Sequence, residues 1–285
     1  MRTATNKRIK IEKLIIQKET TMKRNLFKLT VAVLVLLVFG SVAFGQSGSD
    51  IYWRIDPSVK TCSMDIDPSL TQAQWHRFTK QVGAITSFKA MGPANTLGKM
   101  KFNIAIDYGH TPVDQHDLAW INTFVHPDET CPLGDAIALP TLRARIGLSD
   151  RIDIGGLWTT APDANYGMVG GEVKYAFLQE SRKRPAAAVR LSATWLTGVP
   201  DFNMGIYSID LLASKKFSRL APYIGLRHSL AVGTETTSKV DLQQEIVPFT
   251  QGFVGAAYSV WAFNLAAEYD ISTVNTFAFA LGCNF

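Results

Sequence analysis

Cysteine is scarce in this chain of 285 residues, and beyond position 45 no apolar run is long enough for a membrane-spanning helix, which takes about 20 residues. The three cysteines, Cys62, Cys131 and Cys283, are odd in number and make no CxxC or Cys/His spacing, so no cysteine metal centre is indicated. Histidines and carboxylates match no strong metal motif either. The glycines at 155–156, 170–171, 252 and 255 form no phosphate-binding loop and read as points of curvature or close approach in strands. No cofactor is expected. Only 19% of the residues are charged, while 47% are hydrophobic, which excludes wholesale disorder.

The formal charge of +5 is misleading. In "MKRNLFKLTVAVLVLLVFGSVAFGQ" (22–46), Lys23, Arg24 and Lys28 precede an apolar stretch from Leu29 to Phe39, with small residues at Ala43 and Gly45. This is the layout of a secretory signal cut before Gln46. Residues 1–21 read as an over-called start upstream of Met22. Residues 1–45 carry nine of the 29 basic and two of the 24 acidic residues, so the remainder has 20 against 22 and is slightly acidic. Nucleic acid is therefore not an expected partner. Export permits a Cys62–Cys131 disulfide.

Alternation with period two is abundant after residue 98, the mark of strands with one apolar and one polar face. In "VWAFNLAAEYD", Trp261, Phe263, Leu265, Ala267 and Tyr269 oppose Asn264, Glu268 and Asp270. The same split recurs from Phe102 to Phe285, with a less regular stretch at 246–258 that contains Pro248. About ten strands fit within 99–285, each near the ~9–11 residues that cross a bilayer when tilted. Counted from Lys99, the long connections 110–137 and 233–245 fall at one end and turns at Ser149–Asp150, Ser218–Arg219 and Ser259 at the other. The predicted fold is all-β: a transmembrane, antiparallel, up-and-down β-barrel of about ten strands, with eight to twelve accommodated. A soluble periplasmic β-sandwich is the competing fold. Aromatics cluster near both predicted strand ends, with Tyr108, Trp158, Trp195, Tyr207 and Tyr269 towards one and Phe102, Phe177, Phe217, Tyr258, Trp261 and Phe285 towards the other. Two such girdles suit the two interfaces of a membrane. The basic "SRKRP" at 181–185 fits poorly, because this register puts it at the short-turn end. Residues 46–98 read as a periplasmic or lumen segment with a short helix near Thr71. A first strand within 83–98 and another at 118–125 would raise the count to twelve.

A signal, roughly ten amphipathic strands and the ending "NTFAFALGCNF" together resemble small bacterial outer-membrane β-barrel proteins of the opacity-type and porin-like class. The resemblance implies an outer-membrane location, lipid around the barrel, and recognition of Phe277, Phe279, Leu281 and Phe285 by the barrel assembly machinery. Cys283 departs mildly from that pattern.

The inward set is the candidate site: Lys101, Asp107, Arg143, Arg145, Asp153, Glu172, Lys174, Arg190, Asp210, Arg227 and Glu268. In a narrow barrel these form either a paired charge network that fills the lumen or a charged ring that sets ion selectivity in a passive pore. Loops 110–137 and 233–245 could hold a surface partner. A hydrolase would draw on His110, His116 and His126 with Asp114, Asp117, Asp128 and Glu129. His228 and Ser229 are adjacent and so face opposite sides of a strand. The expected function is non-enzymatic.

Overall fold

The computed structural model describes residues 64–124, 135–160 and 166–285. The signal segment, Cys62, Cys131, His126, Asp128 and Glu129 lie outside them. Ten strands follow in order: β1 (Phe102–Pro112), β2 (Ala136–Gly147), β3 (Ile152–Thr160), β4 (Gly167–Leu178), β5 (Ala186–Thr197), β6 (Phe202–Ser214), β7 (Leu220–Glu235), β8 (Glu245–Val260), β9 (Phe263–Ile271) and β10 (Thr276–Asn284). Each pairs antiparallel with its neighbours in sequence, and β1 pairs with β10 from Asn103↔Asn284 to His110↔Phe277. The sheet is a closed barrel, so it has no edge with unpaired backbone groups.

The alternation read from the sequence is the division between wall and lumen. On β7, Ile224 and Leu226 are about 60% exposed, while Tyr223, Arg227 and Ser229, of the opposite parity, are buried. β9 and β10 repeat this with Phe263, Leu265, Phe277, Phe279 and Leu281 outside and Glu268, Asp270, Ala278 and Ala280 inside. A soluble sandwich buries its apolar face and wets its polar one. Here the apolar face is outside, so the sandwich alternative fails.

The long connection between β1 and β2 and that between β7 and β8 lie at one end of the barrel. The turns 148–151, 215–219 and 261–262 lie at the other, together with 179–185. The stretch with Pro248 is the regular 16-residue β8, and Pro248 faces outward opposite Leu230. The turn expected at Ser259 is two residues later: β8 runs to Val260, and Trp261 takes a positive φ of 53° in the turn, 92% exposed.

The two extra strands of the twelve-strand option do not form. Residues 118–124 supply instead a short helix, α2 (Leu118–Ile121), capped by Asp117, and a turn. Upstream, α1 (Gln72–Thr86) is longer than the sequence suggested. Thr71 and Gln74 form a reciprocal capping box at its start, satisfying two of the N–H groups a helix leaves unpaired. Trp75, Phe78, Val82 and Ile85 recur on one buried face, the spacing of a helix packed against a wall. No described helix is long and apolar enough to cross a membrane.

Candidate functional site in the lumen

The helix α1 and the extended stretch after it run inside the barrel. At the long-loop end, Trp75 and Phe78 pack on Phe202 from β6, with ring centroids 5.2 and 5.7 Å away, and Phe78 meets Trp120 of α2 at 5.2 Å. The Cβ that Gly83 lacks would lie 2.7 Å from Ala231 on β7 and 3.0 Å from Phe249 on β8. Residues 84–97 then bond to inward side chains around most of the ring. The carbonyl of Thr86 accepts from Thr194 on β5 (3.0 Å), and that of Ala84 accepts from Gln251 on β8 (3.2 Å). The carbonyls of Phe88 and Lys89 accept from Arg190 at 2.6 and 2.9 Å, and that of Ala90 accepts from Arg145 at 2.7 Å. The N–H groups of Ala90 and Met91 donate to Glu268 at 3.0 and 2.6 Å, and that of Ala94 to Ser214 at 3.0 Å. Lower still, Lys174 donates to the carbonyl of Asn95 (2.8 Å), and Leu97 N–H donates to Asp153 at 3.1 Å. An extended segment with no sheet partner would otherwise bury orphaned backbone groups. The wall side chains supply those partners.

Ten of the eleven residues of the candidate set meet in this layer. Asp107 is bidentate with Arg143 (2.6 and 3.0 Å). Arg145 pairs with Glu172, which also accepts from Arg190 at 2.8 Å. Arg190 and Arg227 share Asp210, Arg227 bonding it at 3.2 Å. Arg227 reaches Asp270 at 3.0 Å and approaches Glu268 at 3.8 Å. Lys174 pairs with Asp153 at 3.1 Å. Lys101 stands apart, exposed at the short-turn rim with no ion pair among the described residues. Four participants were missing from the sequence-derived set. Asp270 and Gln251 have inward parity on their strands. Tyr223, also inward, donates to Glu268 at 2.9 Å. Lys89 comes from the lumen segment and lies 3.7 Å from Asp270. The cations are then the half-buried Lys89 and the buried Arg143, Arg145, Lys174, Arg190 and Arg227. The buried anions are Asp107, Asp153, Glu172, Asp210, Glu268 and Asp270. Charge is balanced one for one, as it must be where lone ions are costly to bury.

A second constellation closes the long-loop end. Lys239, in the β7–β8 connection, bonds Asp65 and, at 2.9 Å, Asp201; the N–H of Ile66 also donates to Asp201 at 2.9 Å. His76 meets Glu245 at 2.7 Å, and Gln243 N–H donates to Gln72 at 2.9 Å. The connection is thus folded onto the lumen segment. Hydrogen bonds to Asp65 and Asp201 hold Lys239 above the usual lysine range. Burial pulls Asp201 up, but hydrogen bonds from Asp65, Lys239 and Ile66 outweigh it and hold Asp201 below the usual carboxylate range. A lowered carboxylate adds stability above its unfolded pKa of about 3.9 and loses it as pH falls through the lower folded value; a raised lysine adds stability below about 10.4 and loses it above. Burial and the hydrogen bond with Asp201 hold Asp65 above the usual carboxylate range, so the stability its proton adds is lost as pH rises through that raised value. We expect protection of the Ile66 amide from hydrogen exchange to change as that proton leaves, to be steady across neutral pH, and to fall above about pH 10 as Lys239 loses its proton. Lys239→Met should speed that exchange at neutral pH, and an unchanged rate would show that the clasp holds nothing.

Among the described residues the histidines do not assemble. His110 is exposed on the outer face, and His116 N–H donates to Asp114 in the loop. His228 faces out and meets Thr250 at 3.0 Å, while Ser229 faces in and meets Ser208 at 2.8 Å. No group of three metal-ligating side chains occurs among the described residues.

The outer surface decides the class. Tyr108, Trp195, Tyr207, Phe102, Phe177 and Tyr258 are each more than 40% exposed, with Leu191, Leu211, Leu226 and Leu281 exposed between the two aromatic sets. The architecture is that of a transmembrane β-barrel. No family model matches the chain, and no curated protein matches it. Solved structures with a similar course include an outer membrane channel from Pseudomonas putida F1, 12% identical, which covers 70% of this chain and 100% of its own with a TM-score of 0.41. Ail, the attachment invasion locus protein of Yersinia pestis, is 13% identical over 66% of this chain and 99% of its own, with a TM-score of 0.27. The KdgM porin is 8% identical over 64% and 99%, with a TM-score of 0.33.

Proposed function

We propose that this protein is a non-enzymatic, integral barrel of the bacterial outer membrane, exported by the segment 22–45 and closed by its own residues 64–98. It is a sealed scaffold rather than an open passive pore. The observation that carries this reading is the balanced lumen, in which six cations, five of them buried, and six buried anions are bonded to one another and to the backbone of 84–97. Selective pores present charge of one sign to a wet passage; a neutral, bonded cross-section gives an ion neither a path nor a preference. Lipid covers the outward apolar face. Phe277, Phe279 and Leu281 on the outer face of β10, with Phe285, offer the alternate apolar pattern that barrel assembly would read.

Two measurements test this. Fractionation should recover the protein in the outer-membrane pellet; recovery in the periplasmic wash would overturn the location. In planar bilayers the folded protein should show no open steps, and deletion of 64–98 should give steady conductance from a barrel whose unheated gel mobility still shows folding. Reproducible steps from the undeleted chain would establish a pore instead. The deletion also removes the backbone partners of Arg145 and Arg190, so the gel control is essential. Adhesion through 233–245 is less favoured, because that connection is already engaged with Asp65, Gln72 and His76.

A further inference from the structure

Below the neutral layer, the short-turn end holds a cavity of about 340 Å³ whose charge is one-sided. Six cations line it, Lys101, Arg143, Arg145, Lys174, Lys216 and Arg219, and no carboxylate does. Asp107, Glu172 and Asp153 neutralise three of them from behind the wall. Lys101, Lys216 and Arg219 have no ion pair among the described residues. We propose that this cavity binds a small polyanion bearing phosphate or carboxylate groups.

Three features distinguish the cavity from an ordinary basic rim. Its deeper cations are built in: the side chains of Arg143 and Arg145 are 3% and 8% exposed. Both are also held in place with donors to spare. Arg143 commits Nε and Nη2 to Asp107, and Arg145 commits Nε and Nη2 to Glu172 and the carbonyl of Ala90. The Nη1 of each has no hydrogen bond among the described residues, and a planar guanidinium with a free N–H pair suits a carboxylate or phosphate oxygen. Finally, the volume falls within the range of about 300–1,000 Å³ for small-molecule sites, and small side chains such as Ala105, Ala221, Ala257 and Ala280 keep it open. Neutral polar groups, Asn103, Asn264, Asn284 and Ser259, complete the wall. A cationic ligand finds no complement there.

The lining also includes Gly92, Pro93 and Asn95 of the lumen segment. A bound anion would touch both the wall and the segment that fills the barrel, so occupancy favours the seated segment by mass action. The site stands on the cavity alone and holds whether the barrel is sealed or conducts.

The test is calorimetric titration of the purified full chain in neutral-detergent micelles at low salt, with inorganic pyrophosphate and citrate used separately. One-site binding of at least one probe is expected; the probe that binds assigns phosphate, carboxylate or any compact polyanion. The double variant Lys101→Gln with Arg219→Gln, both at exposed positions, should weaken binding about tenfold or more, as loss of two charge contacts does. Lys183→Gln with Arg184→Gln removes the same charge at the same end but outside the cavity, and should leave the affinity within about twofold. No saturable binding of either probe overturns the proposal. So does equal weakening in the two double variants, which would mean diffuse attraction to a basic surface.

Discussion

Replacing Asp210 with alanine is expected to destabilise the barrel by about 3–5 kcal/mol, the usual result of leaving a buried ionic partner uncompensated. Asp210 is fully buried and sits between two arginines that are themselves almost completely buried, Arg190 and Arg227. Alanine would leave Arg190 with Glu172 and Arg227 with Asp270, each arginine short of its shared carboxylate. Phe88 and Phe253, whose ring centroids lie 5.4 and 5.1 Å from the two guanidiniums, offset part of this, but a cation over a ring is worth only about 0.5–2 kcal/mol. A loss of that size is a large share of a typical net stability of about 5–15 kcal/mol. Urea unfolding followed by tryptophan fluorescence measures it. Asp210→Asn, which keeps an acceptor, should lose less. A change under about 1 kcal/mol in the alanine variant, the size of a surface pair, would show that the network does not brace the lumen.

Gly83→Leu should unseat α1 while leaving the ring of strands intact. Two effects oppose each other here. In an isolated helix, leucine is better than glycine by up to about 1 kcal/mol. In the barrel, its Cβ alone would fall 2.7 Å from Ala231, and its further carbons would have to enter the space of Phe249. Overpacking of this kind costs about 1–3 kcal/mol, and both neighbours belong to a closed sheet that yields little. The packing effect wins, so residues 64–98 should become accessible to protease and the strand amides should remain protected. Protection of α1 equal to that in the unsubstituted chain would contradict the close approach. Increased exchange throughout β6, β7 and β8 would show instead that plug and wall unfold together.

Strands were legible in the sequence where both of their environments are uniform. β7, β9 and β10 contrast apolar side chains outside with charges or small residues inside, and nothing interrupts the period. The turn after β8 was read two residues early because Ser259 is a turn former and Trp261, which takes the positive φ, is not. The lumen segment left no such signal. Residues 87–98 bond to side chains of eight strands, β2 to β9, rather than to a neighbouring backbone, and Met91 finds its partner Glu268 across 177 positions. Such pairing imposes no spacing on the segment, so Lys89 could not be recognised as part of the charge network. Asp270 was within reach, since it shares the parity of Glu268 two residues earlier. Lys101 was assigned to the network by parity alone, and its position at the rim, one residue before β1, removes it. Asp65 N–H donates to the carbonyl of Thr123 at 3.0 Å and Asp67 N–H to that of Asn122 at 2.9 Å, so the lumen segment starts beside α2 at the long-loop end.

The closed seam between β1 and β10 gives the route of residues 64–98 a further consequence. The segment enters at the long-loop end and leaves at the short-turn end to become β1, so the chain passes through a ring that its own later strands complete. A ring cannot be threaded sideways once it is shut. Either the hoop closes around a strand already laid in its bore, with the β1–β10 seam zipped last, or the segment is drawn lengthwise through a finished hoop past the buried ion pairs of the wall. The first route avoids dragging charges through a dry bore. It makes zipping of the seam the committing step of assembly, and it leaves a molecule that can release its filling only by sliding it out end-on or by opening the seam again.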